Sequence, residues 1–283
     1  MERELHRRLY RIVYDLARTR RTPRVLYPDR VIVTTYFWAV LHDRPVAWAC
    51  RASSWPAQAR LDGLPSASTM CRRLRRAEVL ELIGRLEQTV LGRLPRSNLC
   101  FIDAKPLPIG SCSGDRDAKP GYAAGRIARG YKLHVILDAK GKVRDCHVDA
   151  MRPREAAIAP RLIRKLQGTG TLVGDNAYDT NKLYDLAGRR GWQLVAPRRF
   201  GTQLSTHVRQ SRWRLRAHQQ MAPRQRQALY RQRGAIERFF GCLGNQCGGL
   251  GPLPNHVRRL RRVRHWVQAK LILYHLRLLK KAT

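Results

Sequence analysis

The stretch LCFIDAKPL, residues 99–107, is where the period of the chain changes. Upstream, apolar residues recur at helical spacing. Here they run together as in a short buried strand that ends near a carboxylate, Asp103, with Pro106 and Pro108 closing it. Further along, YKLHVILD (131–138) alternates Leu133, Val135 and Leu137, AKGK supplies a turn, and VRDCHVD returns, which predicts a β-hairpin. Residues 154–166 go back to helical spacing. TLVGDNAYD (171–179) then places Leu172 and Val173 directly before a second carboxylate, Asp175. Asp179 competes with Asp175 for attention, but it or Thr180 is placed to cap the helix NKLYDLAGRR. Gly191 would end that helix, and WQLVAP (192–197) is a further strand.

The order strand, hairpin, helix, strand, helix, strand, helix predicts an α/β fold with a mixed sheet and helices on its faces. On such a sheet Asp103, on a central first strand, lies beside Asp175, at the end of the adjacent parallel strand. A third acid follows in YRQRGAIERFFGCLG (230–244), where Glu237 is the only Asp or Glu between Leu186 and Thr283. If the stretch is one helix, Tyr230, Arg233 and Glu237 share a face, and Leu229, Ile236, Phe240 and Leu243 form the opposite, core-facing stripe. Intrahelical pairing with Arg233 and Arg238 is the ordinary reading of Glu237. Convergence with Asp103 and Asp175 is the other. Three carboxylates meeting in a basic protein repel one another unless a cation sits between them. Mg²⁺ or Mn²⁺, taken as a pair of ions, suits such oxygen ligands and serves phosphodiester chemistry.

Composition agrees with a polyanionic partner: 56 Lys and Arg against 20 Asp and Glu give a formal charge of +36. A 43% apolar content excludes a disordered chain. No run approaches the ~20 apolar residues of a membrane span, and the start, MERELHRRLYRI, lacks a signal-peptide core. The 7 cysteines form no CxxC and read as reduced thiols of a cytoplasmic, nucleoid-associated bacterial protein.

Residues 1–95 read as a small helical DNA-binding region. Asp29 to His42 is an apolar helix, and Asp43 can cap the next one. Ser66 can cap a basic helix bearing Arg72, Arg73, Arg75 and Arg76, as in a helix-turn-helix. Residues 96–250 form the core, with Gly110 to Gly130 as a mobile basic loop. Residues 251–283 end in a helix, from Asn255 or His256 to Leu279, packing on the core. His134 and His147 read as packing residues of the hairpin, Glu155 as a first-turn acid, and the Tyr and Trp residues mostly as core, with Trp192 or Trp213 also able to stack on an unpaired base.

Three motifs, FID at 101–103, GDNAYD at 174–179 and Y-x2-R-x3-E at 230–237, resemble those of DDE transposases of bacterial insertion sequences, in the broad group of the fourth and fifth families. GYKLHVILDAKGKV is similar to that family's second and third strands, and the resemblance covers about residues 64–280. It implies an RNase H-like catalytic core, two divalent ions held by Asp103, Asp175 and Glu237, hydrolysis at transposon ends, and transfer of the 3′-OH to target DNA by a homodimer on DNA. By the same resemblance Tyr230 and Arg233 contact DNA phosphate. Lys132 and Arg238 join Arg72, Arg73 and Arg76 as further expected DNA contacts. The sequence departs from the family at Gly244, where a lysine is usual, and at Asn176 and Ala177. Two alternatives stay open: a basic DNA-binding protein without catalysis, and a nuclease of this fold that joins no ends.

Overall fold

The structure, a computed structural model, describes residues 2–18, 25–56, 63–110, 113–123, 125–199, 209–245, 250 and 252–282. Cys112, Cys247, residues 200–208 of the basic connection, and three glycines of the GGLGPLP loop (Gly248, Gly249, Gly251) lie outside them. The chain forms two compact units. One comprises residues 1–94, 243–257 and 265–283; the other comprises 95–242 and 258–264.

The second unit is built on a six-stranded mixed sheet. Its strands are β1 (Leu99–Pro108), β2 (Lys119–Ala123), β3 (Arg126–Asp138), β4 (Val143–Ala150), β5 (Gly170–Val173) and β6 (Trp192–Val195). They run in the order β2-β3-β1-β5-β6, with β4 on β3. β1 is antiparallel to β3 and parallel to β5, and Phe101 is level with Val173. One sheet face, carrying Cys100, Ile102 and Ile136, packs with Leu162 and Ile163 of a helix and with Tyr178, Tyr184 and Trp192. That buried run of apolar side chains holds the sheet together.

Where the expected loop from Gly110 to Gly130 stood, β2 and the first residues of β3 form a second hairpin. The reason is a polar network with no local sequence signal. The Arg129 guanidinium donates to the carbonyls of Ser113 (3.3 Å), Asp115 (2.6 Å) and Ala118 (3.1 Å), and the Tyr131 hydroxyl donates to Asp115 Oδ2 at 2.7 Å.

The first unit contains α1 (Glu2–Arg18), α2 (Asp29–Leu41), α3 (Val46–Ala49), α4 (Ala67–Arg73) and α5 (Ala77–Gly92). From Ile32 to Leu41 every residue of α2 is buried, as its all-round apolar sequence requires. Ser66 does cap α4, accepting from the Thr69 N–H at 3.2 Å. The helix then stops at Arg73, so Arg75 and Arg76 sit in the turn before α5 rather than on a basic second helix. Asp43 caps nothing. It takes a left-handed backbone (φ 53°) and accepts from the fully buried Lys270 at 2.6 Å.

After these come α6 (Glu155–Ile163), α7 (Asn181–Arg189), α8 (Arg212–Leu215), α9 (Pro223–Gln232), α10 (Gly234–Asn245) and α11 (Leu260–Ala282). Two C-terminal expectations change. α11 begins at Leu260 because Asp115 and Asp117 accept the Arg259 and Leu260 backbone N–H groups at 2.9 and 3.0 Å, acting as remote caps. From His265 onward its residues group with the N-terminal helices, and residues 258–264 with the sheet unit. A buried ammonium needs acceptors, and Lys270 finds Asp43 and the Val40 carbonyl (2.7 Å) there.

Candidate active site

Asp103 lies two residues past Phe101 on β1, and Asp175 two residues past Val173 on β5, so the parallel register brings the two carboxylates level. Each ties one oxygen to its own backbone. Asp103 Oδ1 accepts from the Ala104 N–H at 2.8 Å, and Asp175 Oδ1 from the Ala177 N–H at 2.9 Å. The remaining oxygens share a cation. Arg233 Nη2 donates to Asp103 Oδ2 at 3.0 Å and stands 3.9 Å from Asp175 Oδ2. Burial pushes the Asp103 carboxyl above the usual range, and the Asp175 charge adds to it. The Ala104 N–H and Arg233 oppose the shift without cancelling it. Tyr178, fully buried beneath, is raised further by burial and by the charges of Asp103, Asp175 and Glu155.

The expected single helix is divided at Arg233 by one turn residue that keeps helical dihedrals. α9 ends at Gln232, Arg233 adopts φ −56° and ψ −26°, and α10 starts at Gly234. Of the expected stripe Ile236 and Leu243 are buried, whereas Leu229 and Phe240 are only partly so and Phe239 is buried in place of Phe240. Phe240 lies under the Lys105 ammonium at 5.9 Å, two strand positions beyond Asp103. Glu237 is exposed on the first turn of α10. Among the described residues no group of three or more His, Cys, Asp or Glu is placed to hold a metal ion. The structure therefore joins Asp103, Asp175 and Arg233, and leaves Glu237 outside that contact.

Several expected DNA contacts are occupied within the protein. Lys132 is buried and bonded to Glu155 Oε1 at 2.6 Å, and Arg73 is buried against Asp29 Oδ1 at 2.5 Å. Both acids are far away in sequence, so neither pairing was readable from spacing. Arg72, Arg76 and Arg238 remain exposed. Tyr230 is half-buried, and burial raises its phenol. Trp192 is core, and Trp213 packs flat against Gly188, where a Cβ would lie 2.2 Å from its ring. Neither is free to stack on a base. His134 is buried and pushed down to about 4, mainly by desolvation, as a packing residue would be.

Asp179 is no helix cap either. Arg214 grips it through two bonds of 2.8 and 2.6 Å, His218 lies at 3.3 Å, and the Arg199 N–H donates at 3.0 Å. Sequence reasoning missed this cluster and also Lys105. The one available signal for Lys105 was its two-residue offset from Asp103, which puts both on one face of β1.

The mixed sheet with flanking helices is an RNase H-like fold, with one acid midway along β1 and a second just past the end of the neighbouring β5. The transposase DDE domain family matches residues 95–276, and the chain belongs to it. It is an enzyme of DNA transposition. Among solved structures it is similar to the piggyBac transposase in a synaptic complex with hairpin DNA, with a TM-score of 0.53 at 8% identity over 99% of this chain and 72% of that one. It is also similar to the Mos1 transposase in a paired-end complex, with a TM-score of 0.29 at 13% identity over 91% of this chain and 77% of that one. A comparison with curated proteins found no match.

Proposed function

We propose that this transposase binds the ends of its own element and, with two divalent ions, Mg²⁺ or Mn²⁺, cleaves the phosphodiester backbone there. The freed 3′-OH is then joined to target DNA, and a homodimer holds the two ends. The observation that carries this reading is the level pair Asp103 and Asp175 with a guanidinium between their free oxygens. The pair fits a divalent ion, since carboxylate oxygens are its ordinary ligands and the site already draws a positive charge. Bound there, the ions would activate the attacking water or 3′-OH and stabilise the leaving oxygen.

Arg233 cannot serve both roles at once. Its Nε is buried without an acceptor among the described residues, which leaves the guanidinium under-satisfied on the carboxylates alone. A DNA phosphate offers it two acceptor oxygens in the geometry it prefers. Release of Arg233 to phosphate frees Asp103 Oδ2 and Asp175 Oδ2, and Glu237, one helical turn further on, becomes the third carboxylate. Arg72, Arg76 and Arg238 neutralise backbone phosphate. Tyr230, the other DNA contact expected beside Arg233, sits one turn earlier, at the end of α9.

The test is cleavage of a duplex carrying the element's end, with Mg²⁺ and with EDTA, by the parent and by Asp103→Asn, Asp175→Asn and Glu237→Gln. Loss of cleavage with DNA binding retained supports the three assignments. Full cleavage by one variant removes that residue from the site. A product joined to a second duplex separates the transposase from a nuclease that only hydrolyses.

A further inference from the structure

Among the described residues of the sheet unit, two large apolar side chains are exposed, and they stand beside each other. Tyr122 on β2 and Ile127 on β3 are paired in register, so they project from the same face, and they are 69% and 78% exposed. They sit on a part of the sheet unlike the rest. β3 residues 130–138 pair with β1 and 131–137 with β4, whereas in the strand ladders residues 126–129 pair with β2 alone. This is a two-stranded ribbon whose tip turns through Gly125 at φ +82°.

Such ribbons are marginal on their own, yet this one is braced. A Cβ on Gly121 would lie 2.6 Å from the Met151 carbonyl oxygen, and one on Gly130 2.3 Å from that of Leu107, so the ribbon lies close against the sheet at its base. Ala123 is buried on its inner face, and the Arg129 guanidinium holds three carbonyls of the preceding segment. A firmly held arm that exposes Tyr and Ile to water has no stability reason to do so.

Charge identifies the occupant. From Lys119 to Arg129 the ribbon contains no acid, and Lys119 and Arg126 are exposed. The nearest acids, Asp115 and Asp117, are committed to the backbone of Arg259 and Leu260. A second copy of a chain carrying +36 is a poor partner for this basic ribbon, whereas a phosphate backbone is a good one. The major groove of B-DNA, about 12 Å wide, admits a two-stranded ribbon.

We propose that the β2–β3 ribbon is a DNA-reading arm that enters the major groove of duplex DNA. Tyr122 and Ile127 meet base edges, with apolar contact favouring thymine methyl groups, and Lys119 and Arg126, which strand alternation places on the other face of the ribbon with Ala123, reach the flanking phosphates through their long side chains. This rests on the reading of the chain as DNA-binding and adds to it which element reads bases.

The experiment uses the full chain in EDTA, with a fluorescent mixed-sequence duplex and its counterpart in which uracil replaces thymine. For the parent, the uracil duplex binds more weakly. The double variant Tyr122→Ala/Ile127→Ala binds about tenfold more weakly than the parent, keeps its salt dependence, and no longer distinguishes the two duplexes. Lys119→Ala/Arg126→Ala lowers the slope of log affinity against log salt by about 2. Because the altered side chains are exposed, both variants melt with the parent. Equal affinity of parent and apolar double variant, with no uracil effect, overturns the arm while leaving DNA binding intact. A parent that binds no duplex overturns the DNA-binding reading as well. A photocrosslinker in place of Ile127 labels DNA if the arm is right; labelling of a second protein chain overturns it.

Discussion

Asp175 and Asp179 stand four residues apart in GDNAYD, and each faces an arginine, yet they solve opposite problems. The Asp179 side chain is fully buried, and both its oxygens are saturated by Arg214, His218 and the Arg199 N–H. Asp175 is 33% exposed, with one oxygen on its own backbone and the other 3.9 Å from an arginine it shares with Asp103. Titration follows the same divide. Burial works against the Asp179 charge, but His218 and Arg214 overcome it and hold the carboxyl well below the usual range. At Asp103 burial wins, and the carboxyl is raised. A closed pair ties distant segments together; an open one is a place where a cation can be exchanged.

The largest effect expected from breaking this contrast is on chemistry. Asp103→Asn and Asp175→Asn should each lower cleavage by about a thousandfold or more while the far-ultraviolet spectrum and DNA affinity stay at parent values. Asp179→Asn should do the reverse. It leaves Arg214 without its buried partner and costs about 3–5 kcal/mol in denaturant unfolding, and any cleavage loss should recover at low temperature where the fold persists.

The pH dependence sharpens the contrast further. The depressed Asp179 carboxyl contributes stability that is present above its unfolded value of about 3.9 and is lost as pH falls below it. Asp103, whose folded value is raised, has the opposite sign, so its charge opposes folding at neutral pH. Melting curves should therefore show Asp179→Asn below the parent and Asp103→Asn above it at pH 7, with the Asp103 gap closing as pH falls towards ~4 and the Asp179 gap closing only below it.

A smaller effect is expected at the shared arginine. Arg233→Gln should bind Mn²⁺ several-fold more tightly than the parent in calorimetry without DNA, and its DNA salt slope should fall by about 1. The smallest concerns Gly244, exposed near the end of α10 with open space around it. Gly244→Lys should raise DNA affinity a few-fold and the salt slope by about 1. An unchanged slope would place this position away from the DNA.

Much of the architecture is legible along the chain. Apolar runs before Asp103 and Asp175, the Val135 to Leu137 alternation and the glycine at 191 are local patterns, and their elements form, although β1 runs on past Asp103 to Pro108 and β3 begins five residues early, at Arg126. The β2–β3 ribbon escapes because its strand residues, Lys119, Pro120 and Gly121, carry no strand signal. It is held by Arg129 and by contact with Met151. Half of the site is legible for the same reason that the strands are: Asp103 and Asp175 end apolar runs on strands whose parallel pairing makes them level. Glu237 stands out only by its isolation, and no period reveals whether α10 carries it inward.

Which basic residues remain available to a ligand was decided by tertiary structure alone. Arg73 and Arg233 stand in motifs that point to DNA, and Arg214 in none, yet nothing along the chain names the acid each one meets. Each meets its acid across 35 or more residues, at Asp29, Asp179 and Asp103 respectively. The sequence by itself determined the central strands, the two acids that follow their apolar runs and the excess of positive charge, because the strands and the runs depend on close neighbours and the charge on composition alone. Folding assigned the partners, because an ion pair forms wherever two opposite charges are brought within about 4 Å, and sequence separation sets no limit on which two those are.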